Sequence, residues 1–146
     1  MHPGDVVCAE RGERLETLLG SCVAIMLTDP RRTIGTMCHI VHSTSAAGRS
    51  AESSSSARIA LPRMYELLQA RGINPALCDA YIVGGGNMFP DLYANNHVGE
   101  RNVSWALETL GRHGVHVLLH DVGGSAYRRV AWTVGPGAPQ VTAIAI

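Results

Sequence analysis

An α+β fold with mixed or antiparallel sheets is predicted from three features of the sequence. Stretches of β-forming residues outnumber the amphipathic helical stretches, and many neighbouring strands are joined by turns too short to hold a crossover helix. The two strands on either side of residues 29–32 also carry apolar residues on both faces, which is typical of a sheet buried between two layers. We therefore expect a single domain spanning residues 1–146, with helices packed outside the sheets.

The predicted strands are short and are bounded by glycine, proline or charged residues. Residues 5–9 can form the first strand, and residues 15–19 are an apolar approach to the next one. The remaining predicted strands cover residues 22–28, 33–41, 77–83, 115–119, 129–134 and 141–146. Gly-rich turns separate several of these strands, and the glycines of residues 84–87 suit a sharp turn or a close approach of another backbone segment.

Two amphipathic stretches predict helices. The first is capped by Ser56 and ends near Arg71, and Pro62 either kinks this helix or marks the start of its regular part. The second helix covers about residues 100–112. Residues 43–56, between the strand pair and the first helix, are rich in serine and poor in apolar side chains, so we expect a mobile loop there.

Charge and hydropathy exclude several classes of function. The formal net charge is zero and 16% of the residues are charged, so no basic surface is expected that would bind nucleic acid or an anionic membrane. The apolar runs are shorter than the roughly 20 residues that span a bilayer, and the charged N-terminal stretch does not resemble a signal peptide. We expect a soluble, cytoplasmic protein that acts on another protein or on a neutral substrate.

The strand pair around residues 29–32 predicts a catalytic dyad. If these four residues form the loop and Thr28 faces Thr33, then Cys22 lies directly opposite His39. Opposed residues of an antiparallel pair have Cβ atoms about 5 Å apart, whereas a slip of one residue would put the two side chains on opposite faces. A neighbouring imidazolium favours the thiolate, which is the nucleophilic form of cysteine.

Residues around this dyad support the same hypothesis. Gly20 and Ser21 leave room for a substrate carbonyl and for backbone N–H groups that face a developing oxyanion. His42 is the alternative base, but positions 39 and 42 of an extended strand face opposite sides, and the predicted register selects His39. The other three cysteines are expected to be reduced core residues, because free cysteine packs as a small hydrophobe. They are Cys8, Cys38 and Cys78.

Neither a metal nor a nucleotide is predicted to bind. The clustered histidines span a helix end and a strand, where side chains do not share one face, and no cysteine pair has zinc-ribbon spacing. These histidines are His113, His116 and His120. The glycines of residues 84–87 lack the Lys-Ser/Thr ending of a phosphate-binding loop, so a structural turn is the better interpretation.

Five sequence strings in a fixed order identify a family resemblance that covers nearly the whole chain. They are HPGD, LGSCV with a DP turn and a histidine seventeen residues after the cysteine, GGGNMF, VGERNV and DVGGSAYRR. With these strings the chain resembles CheD, the chemoreceptor glutamine deamidase. The resemblance implies a layered β-sandwich flanked by helices, no cofactor, and catalytic roles for Cys22 and His39.

The resemblance also implies a reaction and partners. In CheD the cysteine attacks the side-chain amide of a receptor glutamine, the histidine protonates the departing ammonia, and water cleaves the thioester to leave glutamate. Hydrolysis of methyl esters at receptor glutamates would use the same groups. The implied partner is the cytoplasmic helical region of methyl-accepting chemotaxis receptors, and some family members also bind the phosphatase CheC.

Two departures from the family pattern leave questions open. The resemblance implies a threonine six positions before the cysteine, where this chain has Glu16, while Thr17 lies five positions before it. Thr17 can serve if the strand shifts or bulges, and Glu16 can orient His39 as a carboxylate. The family also has a Leu-Pro pair where this chain has residues 42–43. These departures support one alternative, a non-catalytic adaptor that binds receptor or CheC.

Three further residues stand at signature positions of the family resemblance. They are Arg101, Asn102 and Asp121. Turns and helix starts commonly use such residues, so we expect structural roles for them or contacts with the residues that react.

Overall fold

The structure is a computed structural model that describes residues 1, 4–42, 57–92 and 97–145. The described ranges contain eight strands, two α-helices and a short 3-10 helix at Pro75–Leu77. The elements are β1 (Val6–Glu10), β2 (Arg14–Leu19), β3 (Val23–Thr28), β4 (Ile34–Ile40), α1 (Ala57–Gln69), β5 (Asp79–Gly84), α2 (Val98–Arg112), β6 (His116–Val122), β7 (Ala126–Thr133) and β8 (Gln140–Ala145).

The strands form two sheets. The larger sheet has the order β1-β4-β3-β5-β6, and the smaller one has the order β2-β7-β8. Neighbouring strands are antiparallel except β5 and β6, which are parallel and are connected through α2. A parallel pair needs such a crossover connection, whereas antiparallel strands can be joined by short turns. The predicted α+β class with mixed sheets is therefore confirmed.

The larger sheet is the middle layer of the fold. On β3, Val23, Ile25 and Leu27 belong to the core that packs against α1 and α2, while Ala24 and Met26 belong to the core shared with the smaller sheet. All six residues of β3 are buried, as expected for a strand covered on both faces. Two cores therefore lie on either side of one sheet, and the second core holds the candidate site.

A tryptophan fills the centre of the space between the sheets. Trp132 of β7 is fully buried and makes an edge-to-face contact with Tyr81 of β5 at a ring-centroid distance of 5.9 Å. A Cβ placed on Gly35 of β4 would lie 2.5 Å from the Cη2 atom of Trp132. Glycine is therefore needed at this position because the indole occupies the space of a side chain.

The β3–β4 register differs from the predicted one by two residues. Thr28 pairs with Gly35 rather than with Thr33, and Ala24 rather than Cys22 pairs with His39. Because residues on a strand alternate faces with a period of two, a shift of two residues leaves each side chain on its predicted face. The predicted pairing was wrong, but the predicted shared face of positions 22 and 39 is unaffected.

An aspartate explains the longer loop. The Asp29 carboxylate accepts hydrogen bonds from the Thr33 backbone N–H at 2.7 Å, the Thr33 hydroxyl at 2.6 Å and the Ile34 N–H at 3.0 Å. Arg32 adopts a left-handed backbone with φ of 59°. These interactions hold residues 29–34 outside the β3–β4 ladder, so that pairing resumes later than a four-residue turn would allow.

Other predicted elements have different bounds. Residues 14–19, expected to be an approach to the hairpin, form β2 at the edge of the smaller sheet. The first helix begins at Ala57 and contains Pro62 on its exposed side. The predicted cap Ser56 and the predicted mobile loop at residues 43–56 lie outside the described residues.

Candidate active site

His39 and Thr17 meet in the space between the two sheets. His39 on β4 is 3% exposed, and its Nδ1 lies 2.8 Å from the Thr17 hydroxyl on β2. The same hydroxyl donates a hydrogen bond to the Met1 carbonyl at 3.3 Å. Thr17 pairs with Val130 in an unbroken β2–β7 ladder, so it reaches the histidine without a strand shift or bulge.

Glu16 does not contact the histidine. Its side chain is exposed, and its carboxylate accepts a hydrogen bond from the Arg14 guanidinium at 2.7 Å. Successive residues of β2 alternate between exposed and buried, so residues 16 and 17 face opposite sides. Of the two alternatives that the sequence left open, the structure brings only Thr17 to the histidine, while the Glu16 interpretation is wrong.

Cys22 lies one residue before β3, on the side of the strand that faces the smaller sheet. It packs against the buried cluster between the sheets, next to Ala24 on the same face. Since Ala24 pairs with His39, the thiol and the imidazole are diagonal neighbours on one face. Diagonal neighbours in an antiparallel pair are about 7–8 Å apart, a separation that long side chains can bridge.

Burial raises the pKa of the Cys22 thiol above its usual value. Within the described residues no charged neighbour offsets this effect. A raised pKa favours the thiol over the thiolate that the sequence predicts beside an imidazolium. A thiol in this position needs a base that accepts its proton as it attacks.

The backbone that carries Cys22 is held through three consecutive carbonyl groups. The carbonyls of residues 20–22 accept hydrogen bonds, in chain order, from the Gly86 N–H at 2.9 Å, the Asn102 side-chain amide at 3.2 Å and the Gly85 N–H at 2.8 Å. In a trans peptide the C=O and N–H groups point in opposite directions. The N–H groups of Ser21 and Cys22 consequently point away from these partners.

The glycines at the end of β5 and directly after it allow this close approach. A Cβ on Gly84, which has φ of 118°, would lie 2.2 Å from the Cys22 carbonyl oxygen. A Cβ on Gly85, which has φ of 70°, would lie 2.3 Å from a methyl of Val103 and 2.9 Å from the Gly99 carbonyl oxygen. Both the backbone conformation and the contacts require glycine, in agreement with the predicted structural turn.

A cavity of about 550 Å³ opens beside Ser21. Its wall includes Phe89 and Leu92, which are 63% and 75% exposed, together with Val98 and Arg101. Exposed apolar side chains grouped around a concave surface are characteristic of binding sites. An apolar surface with one cationic group, Arg101, therefore lies next to the segment that carries the candidate nucleophile.

Three other histidines have partners outside the dyad. The His113 Nδ1 lies 2.7 Å from the Tyr65 hydroxyl, and the His116 Nδ1 lies 3.6 Å from an Asp79 carboxylate oxygen. His42 follows the end of β4, where its carbonyl accepts a hydrogen bond from the Ala57 N–H at 3.0 Å. The described residues contain no group of three side chains placed to hold a metal ion.

Buried polar residues outside the dyad support the site. Asn102 on α2 donates from its side-chain amide to the carbonyls of Ser21 and Val41, at 3.2 and 3.1 Å. Arg128 on β7 is 7% exposed, and donates to the Asp121 carboxylate at 3.1 Å. The signature positions 102 and 121 thus have structural contacts, while the sequence did not indicate Arg128.

All four cysteines lie in the described ranges, and none of them forms a disulfide. Cys38 and Cys78 are buried, as expected, whereas Cys8 on β1 is half-buried.

The fold and this arrangement define a class: α+β proteins in which a cysteine lies on the same sheet face as a histidine that contacts a threonine, the side-chain types that cysteine-dependent hydrolases use. The family model described as CheD chemotactic sensory transduction matches residues 41–142. The chain belongs to the CheD family.

Relatives match almost the whole chain. A protein of Albidiferax ferrireducens is 36% identical over 94% of this chain and 82% of its own length, and one of Pseudomonas fluorescens is 34% identical over 94% and 79%. A protein of Methanococcus vannielii is 33% identical over 92% of this chain and 87% of its own length. All three carry the name "Probable chemoreceptor glutamine deamidase CheD", with a number added in the first. These relatives are matched well beyond the residues covered by the family model.

One solved structure shares the fold. A crystal structure of a Neisseria meningitidis protein of the DUF152 family superposes with a TM-score of 0.51 at 12% sequence identity. The match covers 90% of this chain and 65% of that chain. At this identity the likeness concerns the α+β fold alone. Neither of the two helices in the described ranges has the length and apolar character to cross a bilayer.

Proposed function

We propose that this protein is a cytoplasmic deamidase that converts glutamine side chains of chemoreceptors to glutamate, with Cys22 as nucleophile. Membership of the CheD family and the names of its relatives support the reaction and the substrate class. The observation that carries the mechanism is the 2.8 Å contact between Thr17 and the Nδ1 of His39, because it supports the use of the other ring nitrogen, Nε2, towards Cys22. Residues 1–146 act as one catalytic domain.

The hydrogen-bond directions around Thr17 select a tautomer of His39. The Thr17 hydroxyl donates its one proton to the Met1 carbonyl, so it accepts the hydrogen bond from Nδ1–H. Nε2 is then the nitrogen that takes a proton. In the attack step the Cys22 sulfur bonds to the amide carbon while its proton moves to Nε2, which matches a thiol whose pKa is raised by burial.

The remaining steps return the proton and regenerate the enzyme. The tetrahedral intermediate collapses by breaking the C–N bond, and the imidazolium of His39 gives its proton to the leaving ammonia. Water then attacks the thioester, its proton passing to Nε2, and the C–S bond breaks to release glutamate as Cys22 recovers the proton. The Cys22 N–H, which points away from the Asn102 contact, is the proposed donor to the oxyanion.

The cavity next to Ser21 supports a helical protein substrate. Its exposed Phe89 and Leu92 suit the apolar face of a helix from the cytoplasmic region of a receptor, and Arg101 suits an acidic side chain of the same helix. Receptor glutamate methyl esters are proposed as further substrates, because ester and amide share the tetrahedral step. CheC is proposed as a second partner on the basis of family resemblance.

Ammonia release from purified receptor fragments tests the proposal. We expect wild-type protein to release ammonia while mass spectrometry finds glutamine converted to glutamate. Cys22→Ala should abolish the reaction and His39→Asn should slow it at least about a hundredfold, because proton transfer is lost. Cys8→Ala, which removes a half-buried cysteine on β1, is the control and should leave the rate unchanged. A wild-type protein that binds receptor but releases no ammonia would instead indicate an adaptor.

A further inference from the structure

The hydrogen-bond ladder between β3 and β4 stops just before the candidate nucleophile. Its last pair is Val23 with Ile40, so Cys22 lies one residue beyond the end of the ladder. Beyond that pair, Asn102 connects the two segments, since its side-chain amide donates hydrogen bonds to the carbonyls of Ser21 and Val41. One side chain thus joins the two strand ends that carry the thiol and the imidazole.

The two hydrogen bonds that Asn102 donates explain why an amide side chain, and not an apolar one, occupies this position. Asn102 is 2% exposed on the buried face of α2, between the helix and the larger sheet. Its Oδ1 is buried without a hydrogen-bond partner among the described residues. A buried acceptor that stays unsatisfied lowers stability, so helix packing alone would favour an apolar side chain. The donor half of the amide must offset that loss.

We propose that Asn102 is a positioning residue that fixes the peptide between Ser21 and Cys22, and with it the N–H that meets the oxyanion. This inference rests on the proposed deamidase function. The Ser21 carbonyl and the Cys22 N–H belong to one planar peptide group, so a bond that holds the oxygen also sets the direction of the hydrogen. A hydrogen bond to the carbonyl further polarises the group and strengthens its N–H as a donor.

The second bond of Asn102 acts on the base. Val41 follows β4 directly and lies two residues after His39, so its carbonyl anchors the end of the strand that carries the imidazole. Holding both segments to one amide group keeps the diagonal separation of sulfur and ring constant. Loss of Asn102 should therefore lower kcat while KM changes little, since neither bond touches the substrate.

Asn102→Asp gives a test with a distinctive pH dependence. An ionised carboxylate cannot donate to either carbonyl, whereas the protonated acid can donate to one of them. Burial raises the pKa of such a carboxyl group, so the donor form is regained as the pH falls. We expect kcat of Asn102→Asp to be reduced about a hundredfold at pH 8, with its ratio to wild type rising at lower pH.

Two further variants separate positioning from stability. Asn102→Leu keeps a similar volume but cannot donate at any pH, so its reduced kcat should show no recovery at low pH. Thr109→Val is the matched control, because Thr109 is a buried polar residue two turns further along the same helix and 5% exposed. Thr109→Val should leave kcat within about twofold of wild type. All variants are compared at temperatures where circular dichroism shows each of them to be folded.

Nuclear magnetic resonance of the Cys22 amide provides a readout that does not depend on turnover. Both Asn102 variants should move the Cys22 N–H resonance, and Thr109→Val should not. Asn102 variants with kcat within twofold of wild type, or with a Cys22 resonance that moves no more than in the control, would overturn the positioning role. If wild-type protein releases no ammonia, the deamidase proposal fails, and the resonance alone then supports or overturns the positioning role.

Discussion

At the scale of single residues, the Thr17 hydroxyl links the start of the chain to the histidine. Its oxygen lies within hydrogen-bond distance of both the Met1 carbonyl and the His39 Nδ1. Loss of a group that orients a metal-binding histidine typically lowers activity by about tenfold to a hundredfold, and we expect a similar loss for a histidine that transfers protons. We therefore expect Thr17 to act through His39 rather than on the substrate.

Replacing Thr17 with valine should lower kcat by about tenfold to a hundredfold, because the isosteric side chain cannot accept the hydrogen bond from Nδ1–H. Thr17→Ser keeps the hydroxyl and should retain most of the activity. Ammonia release from receptor fragments measures both variants, and Glu16→Gln, an exposed change on the opposite face of β2, is the control. Equal rates for Thr17→Val and wild type would exclude a role for the hydroxyl.

The protonation state of Cys22 gives a prediction about pH. Only the thiolate reacts with iodoacetamide, and burial raises the pKa of this thiol, so its labelling rate should rise about tenfold per pH unit through the neutral range. Peptide mass spectrometry can follow each cysteine separately. Cys38, which is fully buried and whose pKa burial raises to about 12, should stay unlabelled in the folded protein. A Cys22 rate that is level between about pH 6 and 8 would instead indicate a resting thiolate–imidazolium pair.

The sequence was sufficient to predict that Cys22 and His39 share a face of the sheet. A register error of two residues leaves every side chain on its predicted face, and only an error of one residue would have reversed this prediction. The choice between Thr17 and Glu16 was also accessible. Residues 14–19 alternate between exposed and inward-facing positions, which places Thr17 on the inner side with Leu15 and Leu19. The sequence also indicated that Asn102 is unusual, because it is a polar residue at a position of α2 that belongs to the apolar, buried face of the helix.

At the scale of elements, the β3–β4 loop shows why the register itself was missed. The turn residues predict a short loop, but its length depends on three hydrogen bonds to the Asp29 carboxylate and on the left-handed backbone of Arg32. Such side-chain contacts form only once the strands are in place, and local composition does not specify them.

The turn after β5 controls the position of Cys22, and glycine substitutions can test this. Gly84→Ala should lower the free energy of unfolding by about 1–3 kcal/mol, because a side chain at φ of 118° is strained and would lie 2.2 Å from the Cys22 carbonyl oxygen. It should also slow ammonia release, since that carbonyl must move. Gly111→Ala on α2 is the control: its Cβ meets nothing within 4 Å, and it should stabilise by about 0.5–1 kcal/mol. Urea denaturation measures both changes, and a neutral Gly84→Ala would contradict the close approach.

At the scale of the whole molecule, the site is assembled from segments that are distant in sequence. Thr17 comes from the smaller sheet, His39 comes from the larger sheet, Cys22 directly precedes β3 of the larger sheet, and Asn102 comes from the helix layer. The smaller sheet forms only when β2 pairs with β7, more than 100 residues later. Sequence patterns predicted the strands of this sheet incompletely, because nothing local indicates which distant strand will pair with residues 14–19.

The packing of the two sheets depends on Trp132, and two substitutions can separate its volume from its polar group. Trp132→Ala should lower the free energy of unfolding by about 3–5 kcal/mol, because it leaves a cavity between the sheets. Trp132→Phe should lower it by less than about half as much. Phenylalanine keeps a ring against Tyr81 and also removes the indole N–H, which is buried without a partner among the described residues. Urea denaturation compares the two variants. Both variants remove the indole N–H, so equal losses would mean that the ring volume of Trp132 does not stabilise the packing of the two sheets.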